Sequence, residues 1–285
     1  MEEEKKEQEP VLKEARKYWN ISNTLINAYT AYKKNEECGL RVQKVYIEKV
    51  VNSGSGAAMK GGLWFEWQAL FDHLTDEDKL KEPEQILTPK TGKPAAAMKS
   101  ITAQLDNFKN IYEDIEIHEV QKVLETTIDG IKYKGILDVL AATEEEGIHI
   151  RDVKLTGHLN NKWEEYGWEA MQGNGGAIPE KKGLKQAKFY IWLWFHLTGE
   201  LVPMYFDVFA SNNPDDCKTI RVYITEEGIE EIGSDIQNSA LSIREEMKNG
   251  GLKPIADMNR CNKCEFNHWC EHKTNKPRVE HVFIQ

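Results

Sequence analysis

The dipeptide Asp129-Gly130 separates two runs in which apolar and polar residues alternate, Ile115 to Thr127 and Ile131 to Ala141. Asp-Gly suits the two positive-φ positions of a tight hairpin turn, so the three pieces together predict two antiparallel strands. After the polar turn Thr143–Glu146, Gly147 to Leu155 repeats the two-residue period and adds a third strand.

Helical and strand patterns flank this meander. Val11 to about Lys34 reads as helical, with Ser22 or Asn23 as cap; Leu63 to Leu74, Ala95 to Tyr112 and the strongly apolar Leu184 to Leu197 read as helices too. Thr225 caps a longer helix with Ile229, Ile232, Ile236, Ala240, Ile243 and Met247 on one face, and Asn249-Gly250-Gly251 ends it. Val42 to Val51, rich in β-branched residues, predicts a strand, as do Val202 to Ala210 and Thr219 to Ile224. Gly54 to Gly62 reads as a loop. Residues 158–183 predict a long surface loop in which Trp163 and Trp168 either stack on exposed bases or pack beneath it. The fold class is α/β.

Residues 1–10 form an acidic stretch without an apolar core, expected to be a solvated, disordered tail rather than a signal peptide, and residues 11–285 are expected to form a single domain. No apolar run reaches the roughly 20 residues of a membrane span, so a cytoplasmic setting without a membrane is expected. The formal net charge of −10 disfavours nucleic acid as a partner. That objection weakens if the acidic stretches lie away from a groove and if a metal site must itself carry carboxylates.

The chemistry concentrates in Gly135-Ile-Leu-Asp138 and, fourteen residues on, Asp152-Val153-Lys154. Strand alternation turns Asp152 and Lys154 to one face, and a hairpin pairing brings Asp138 beside Asp152. Two carboxylates and the Val153 carbonyl make a hard-oxygen site suited to Mg²⁺ or Mn²⁺. Lys154 would orient a metal-activated water or balance charge developing on a phosphate. An Asp-x-Lys on a strand also arises by chance as a solvated pair. Two further features accompany it: Gln186 and Tyr190, four apart on one helix face, and Glu66, set amid Trp64, Phe65, Trp67 and Leu70. An acid buried in such surroundings needs a partner or a metal, whereas an exposed one needs neither.

In this order, Gly62…Glu66, Gly135-Ile-Leu-Asp138, Asp152-Val-Lys154 and Gln186-x-x-x-Tyr190 resemble the successive motifs of the RecB-like branch of the PD-(D/E)XK nucleases. The resemblance covers roughly residues 20 to 270. It implies a mixed β-sheet core flanked by helices, with metal held by Asp138 and Asp152 and Lys154 as the catalytic lysine. Gln186 and Tyr190 would face the DNA backbone or buttress the site. Many relatives carry histidine at the place of Glu66, which departs from the pattern while remaining able to ligate the same hard metal.

Five cysteines complete the pattern. Cys261, Cys264 and Cys270 form C-x2-C-x5-C, and Cys38 is the natural fourth ligand, whereas Cys217 reads as a free thiol. Spacing alone leaves zinc, with His268 or His272 as substitute ligands, and iron–sulfur ligation both open. One distant N-terminal cysteine plus this C-terminal triad resembles the iron–sulfur nucleases, which include the CRISPR-associated exonuclease family and related helicase–nuclease subunits. That resemblance implies a 4Fe–4S cluster joining the N- and C-terminal segments.

The sequence thus points to a metal-dependent deoxyribonuclease acting on single strands or ends, with a helicase, recombination or CRISPR integration partner in view. A catalytically inactive DNA-binding or adaptor protein of the same fold, and a zinc-stabilised interaction domain, are the alternatives.

Overall fold

The computed structural model describes residues 19–51, 56–88, 91–92, 94–159 and 182–276. The acidic tail, Trp163 and Trp168 lie outside these residues. In chain order the helices are α1 (Asn23–Lys33), α2 (Gly39–Val42), α3 (Ala57–Ala69), α4 (Asp76–Lys79), α5 (Ala96–Ile111), α6 (Lys182–Thr198), α7 (Glu226–Lys248) and α8 (Met258–Cys261). The strands are β1 (Glu116–Ile128), β2 (Ile131–Thr143), β3 (Gly147–Thr156), β4 (Met204–Ala210) and β5 (Cys217–Val222). Two compact units result, one from Met1–Gly54 with Asn238–Gln285, the other Ser55–Gln237. Among the described residues no helix is long and apolar enough to cross a membrane.

The unit Ser55–Gln237 holds one mixed sheet in the order β1-β2-β3-β4-β5. The expected hairpin forms: Ile128 pairs with Ile131 across Asp129 and Gly130, whose φ angles are 49° and 71°. β2 runs antiparallel to β3, β3 parallel to β4, and β4 antiparallel to β5. A parallel pair needs a long crossover, and α6 lies in the one between β3 and β4. Helices α3 and α5 bury Phe65, Ile101 and Phe108 with Val139, Val153 and Phe209 of the sheet.

The predicted loop Gly54 to Gly62 is corrected in part, because α3 starts at Ala57. Gly61 is helical, and a Cβ there would stand 3.1 Å from both Ile86 and Ile101. This glycine serves close packing, not a turn.

A buried ion pair ties the sheet together. The Arg151 guanidinium donates to both oxygens of Asp207, at 2.9 and 2.8 Å, and the Tyr112 and Thr219 hydroxyls donate to the same carboxylate at 2.9 and 2.7 Å. Arg151 also lies over the Tyr112 and Tyr205 rings, 5.0 and 4.7 Å from their centroids. Every oxygen lone pair that burial would orphan thus has a donor, which offsets the desolvation of the charges.

In the other unit, Ser22 caps α1 by accepting from the Leu25 N–H at 3.3 Å, as expected. The predicted strand Val42 to Val51 is absent: α2 passes into a π-helical turn at Gln43–Ile47. Packing overrides the β-branched composition here, since Val45, Val50 and Val51 bury with Phe266. Lys44 and Glu48, four apart, then pair at 2.7 Å on the coiled side.

Replacing Asp207 by alanine leaves Arg151 buried and unpaired, a change that costs about 3–5 kcal/mol. Urea unfolding of the purified variant should show that loss; a midpoint equal to wild type would remove the ion pair from the scaffold's support.

Candidate active site

Four elements of the unit Ser55–Gln237 meet at Lys154. Asp152 and Lys154 alternate onto one side of β3, as expected, and the Lys154 ammonium stands 2.5 Å from Asp152 Oδ2 and 3.6 Å from Asp138 Oδ2. β2 presents Asp138, held by the Val153 N–H, which donates to its Oδ2 at 3.0 Å. From α6, the Gln186 amide donates to Asp152 Oδ1 at 2.6 Å. Gly135 lets the Tyr190 ring approach β2: a Cβ at this position would lie 2.9 Å from it. From α3 comes Glu66, whose Oε1 accepts from the Gln121 amide of β1 at 2.6 Å.

The electrostatics follow from crowding acids out of water. Burial and then the Asp138 charge push Asp152 up to about 8, against the pull of Lys154. Glu66 is likewise pushed up to about 8, by burial first and by Asp138 next. Burial opposes the Lys154 charge, yet Asp152 and Asp138 outweigh it and hold the ammonium protonated. The Tyr190 phenol is raised by burial and by Asp152 and Asp138, so it remains a neutral donor.

Asp152 Oδ2 is buried with the Lys154 ammonium as its partner. Among the described residues no three His, Cys, Asp or Glu side chains converge to hold a metal ion. Mg²⁺ needs only one or two carboxylates, its other positions being filled by water, so Asp138 and Asp152 with the Val153 carbonyl fit it without a third acid. Carboxylates held at one oxygen each by neutral donors are ligands such an ion takes.

In the other unit, Cys38, Cys261, Cys264 and Cys270 line one pocket together with Arg41, Ile255 and Phe266. The Ile255 N–H donates to Cys38 Sγ at 3.3 Å, and burial pushes the Cys264 thiol up to about 11. His272 also lines this pocket. The expected metal cluster is not established by this arrangement, which brings the four thiols to one pocket but gathers no three of them on an ion. Cys217 sits elsewhere, on β5.

Gln121 escaped the sequence reading. A glutamine within an alternating strand carries no signal of its own, and only the fold sets it against Glu66.

The model of the PD-(D/E)XK nuclease superfamily matches residues 33–271. Among solved structures, a protein from Eubacterium rectale described as a "putative exonuclease" is similar at TM-score 0.61 and 16% identity, over 93% of this chain and 91% of that one. At that identity the likeness is one of fold. The structure of SSO0001, with TM-score 0.38, 13% identity and coverage of 91% and 89%, is too distant to add to it. No curated protein matches the sequence.

A pH dependence follows from the two raised acids. Their ordinary values are 3.8 and 4.5, and their folded values are about 8, so the folded state holds protons that the unfolded chain releases. Stability in the presence of a chelator is therefore unimpaired below about pH 4 and falls as pH rises towards about 8. A divalent cation at pH 7 should displace a measurable number of protons from these acids. Calorimetry in buffers of differing ionisation heat measures this number; zero displacement would remove the raised acids from any cation site.

Proposed function

The chain belongs to the PD-(D/E)XK nuclease superfamily, and we propose that it is a Mg²⁺- or Mn²⁺-dependent deoxyribonuclease acting on single strands or ends. The carrying observation is Lys154 between Asp152 and Asp138, with the Gln186 amide and the Val153 N–H each orienting one of the two carboxylates. The exonuclease description of the Eubacterium rectale protein supports work at ends.

Asp138, Asp152, the Val153 carbonyl and Glu66 would hold the ion. Once bound, it supplies Lewis acidity at the scissile phosphate and lowers the pKa of a coordinated water. The remaining work belongs to the chain. The Val153 N–H and the Gln186 amide fix one oxygen each of Asp138 and Asp152, so the carboxylates are oriented before substrate arrives. Lys154, kept protonated by those acids, directs the attacking water and offsets charge growing on the phosphate oxygens. Tyr190, kept neutral, offers its hydroxyl to the phosphate backbone beside Gln186.

Asp152→Ala and Lys154→Ala should each cut hydrolysis of a labelled single strand by about a hundredfold or more while the fold survives. Wild-type rates in either folded variant would sink these roles. Glu66→Ala should raise the Mg²⁺ concentration needed for half-maximal cleavage, and Glu66→His should retain part of the activity. Strand binding by the wild type with no cleavage at saturating Mg²⁺ or Mn²⁺ would favour an adaptor instead.

We read the four thiols that line one pocket as ligands of a 4Fe–4S cluster because one distant N-terminal cysteine with a C-terminal C-x2-C-x5-C resembles the iron–sulfur nucleases; spacing alone leaves zinc open. Protein purified without oxygen should be brown and hold about four irons per chain. Serine at Cys38, Cys261, Cys264 or Cys270 should bleach it and make the protein easier to digest, while Cys217→Ser should do neither. Zinc in place of iron would refute the cluster.

A further inference from the structure

Gln121 stands inside β1, in a ladder that continues on both sides of it: Val120 pairs with Val139 and Lys122 with Leu137. Yet its φ is 52°, the left-handed region. A strand residue with a side chain seldom adopts that conformation, and glycine is the usual occupant where it is needed. The register is the same on either side of Gln121, which is itself not among the paired residues, and the strand's bulge falls earlier, between Ile117 and Glu119. What the kink accompanies is the 2.6 Å bond from the Gln121 amide to Glu66 Oε1. Strained backbone held in place by its surroundings is a feature of functional sites.

We propose that Gln121 is a positioning residue for the metal site, which holds Glu66 by one carboxylate oxygen and leaves the other directed to the cation. The inference rests on the deoxyribonuclease reading above. A neutral donor suits this task, since it orients the acid without cancelling the charge that draws the metal. The amide suits histidine at position 66 equally well, because its oxygen can accept from an imidazole N–H. One residue on β1 therefore serves either ligand type.

The strain allows a test that separates positioning from structural support. Gln121→Gly removes the amide but relaxes a positive φ, so its melting temperature should equal or exceed that of wild type. Gln121→Met keeps the side chain's length without the donor. In both, the Mn²⁺ concentration at half-saturation, read as loss of the free-ion signal by electron paramagnetic resonance, should rise about tenfold or more. The midpoint of Mn²⁺-dependent cleavage should move with it. In a Glu66→Ala background the same substitutions should have no further effect on either midpoint. If wild type binds Mn²⁺ and cleaves but both variants keep its binding midpoint, the positioning role is wrong and the nuclease reading stands. Should wild type neither bind Mn²⁺ nor cleave, the nuclease reading fails and this role falls with it. A Gln121→Gly variant that is less stable and unshifted in Mn²⁺ binding would assign the glutamine to the scaffold.

Discussion

Two carboxylates set against one buried ammonium, with the charge of a third acid acting on them, set the terms for the rest of the nuclease unit. Burial and the neighbouring negative charge both disfavour ionising these acids. The arrangement tolerates this because each acid is oriented by a neutral donor: Asp138 by the Val153 N–H, Asp152 by Gln186, Glu66 by Gln121. Neutral donors fix direction and leave charge uncancelled. The excess negative charge is then answered either by protons, as the raised Asp152 and Glu66 indicate, or by a cation.

One residue along the same strand, the opposite solution appears. Arg151 meets Asp207 with a full complement of donors, and the pair is charge-balanced and closed. Alternation on β3 separates Arg151 from Asp152. A sealed ion pair thus supports the sheet on one side, and an unbalanced cluster is displayed on the other. Had an arginine stood at position 186, Asp152 would be a second structural salt bridge with no need of metal.

The sheet was legible from the sequence because its signals are local. Asp129-Gly130 sets the hairpin, and strict alternation around it sets Asp152 and Lys154 on one side. Asp138, Gln186 and Tyr190 were legible through motif order; the pairing of β2 with β3 brings Asp138 to Val153, and α6 brings Gln186 to Asp152. What could not be read depends on distant packing. Val42 to Val51 has strand composition, yet it coils as far as Ile47 and packs its valines against Phe266, more than two hundred positions on. Gly61 looked like a loop residue because composition does not say that Ile86 and Ile101 press upon it. Gln121 was silent for the same reason, its role being set by a helix over fifty residues earlier in the chain.

The cysteines pose a different problem from the acids. All of Ser55–Gln237 lies in sequence between Cys38 and Cys261. A cluster held by both would close a loop of roughly two hundred residues, and the closure entropy removed from the unfolded chain grows only with the logarithm of that length. Most of its contribution would therefore come from the bonds to the metal atoms and from the small apolar group around Val45 and Phe266 that packs against Cys264 and Cys270. That group is slight beside the core of the nuclease unit, which α3, α5 and the sheet build without any thiol from the four. The two metal sites proposed for this chain would then answer different needs. The acids carry a charge that a cation would relieve, whereas the thiols would require one to supply cohesion that their own surroundings provide sparingly. Loss of the first should silence chemistry in an intact fold; loss of the second should loosen the terminal segments and reach the chemistry only through them.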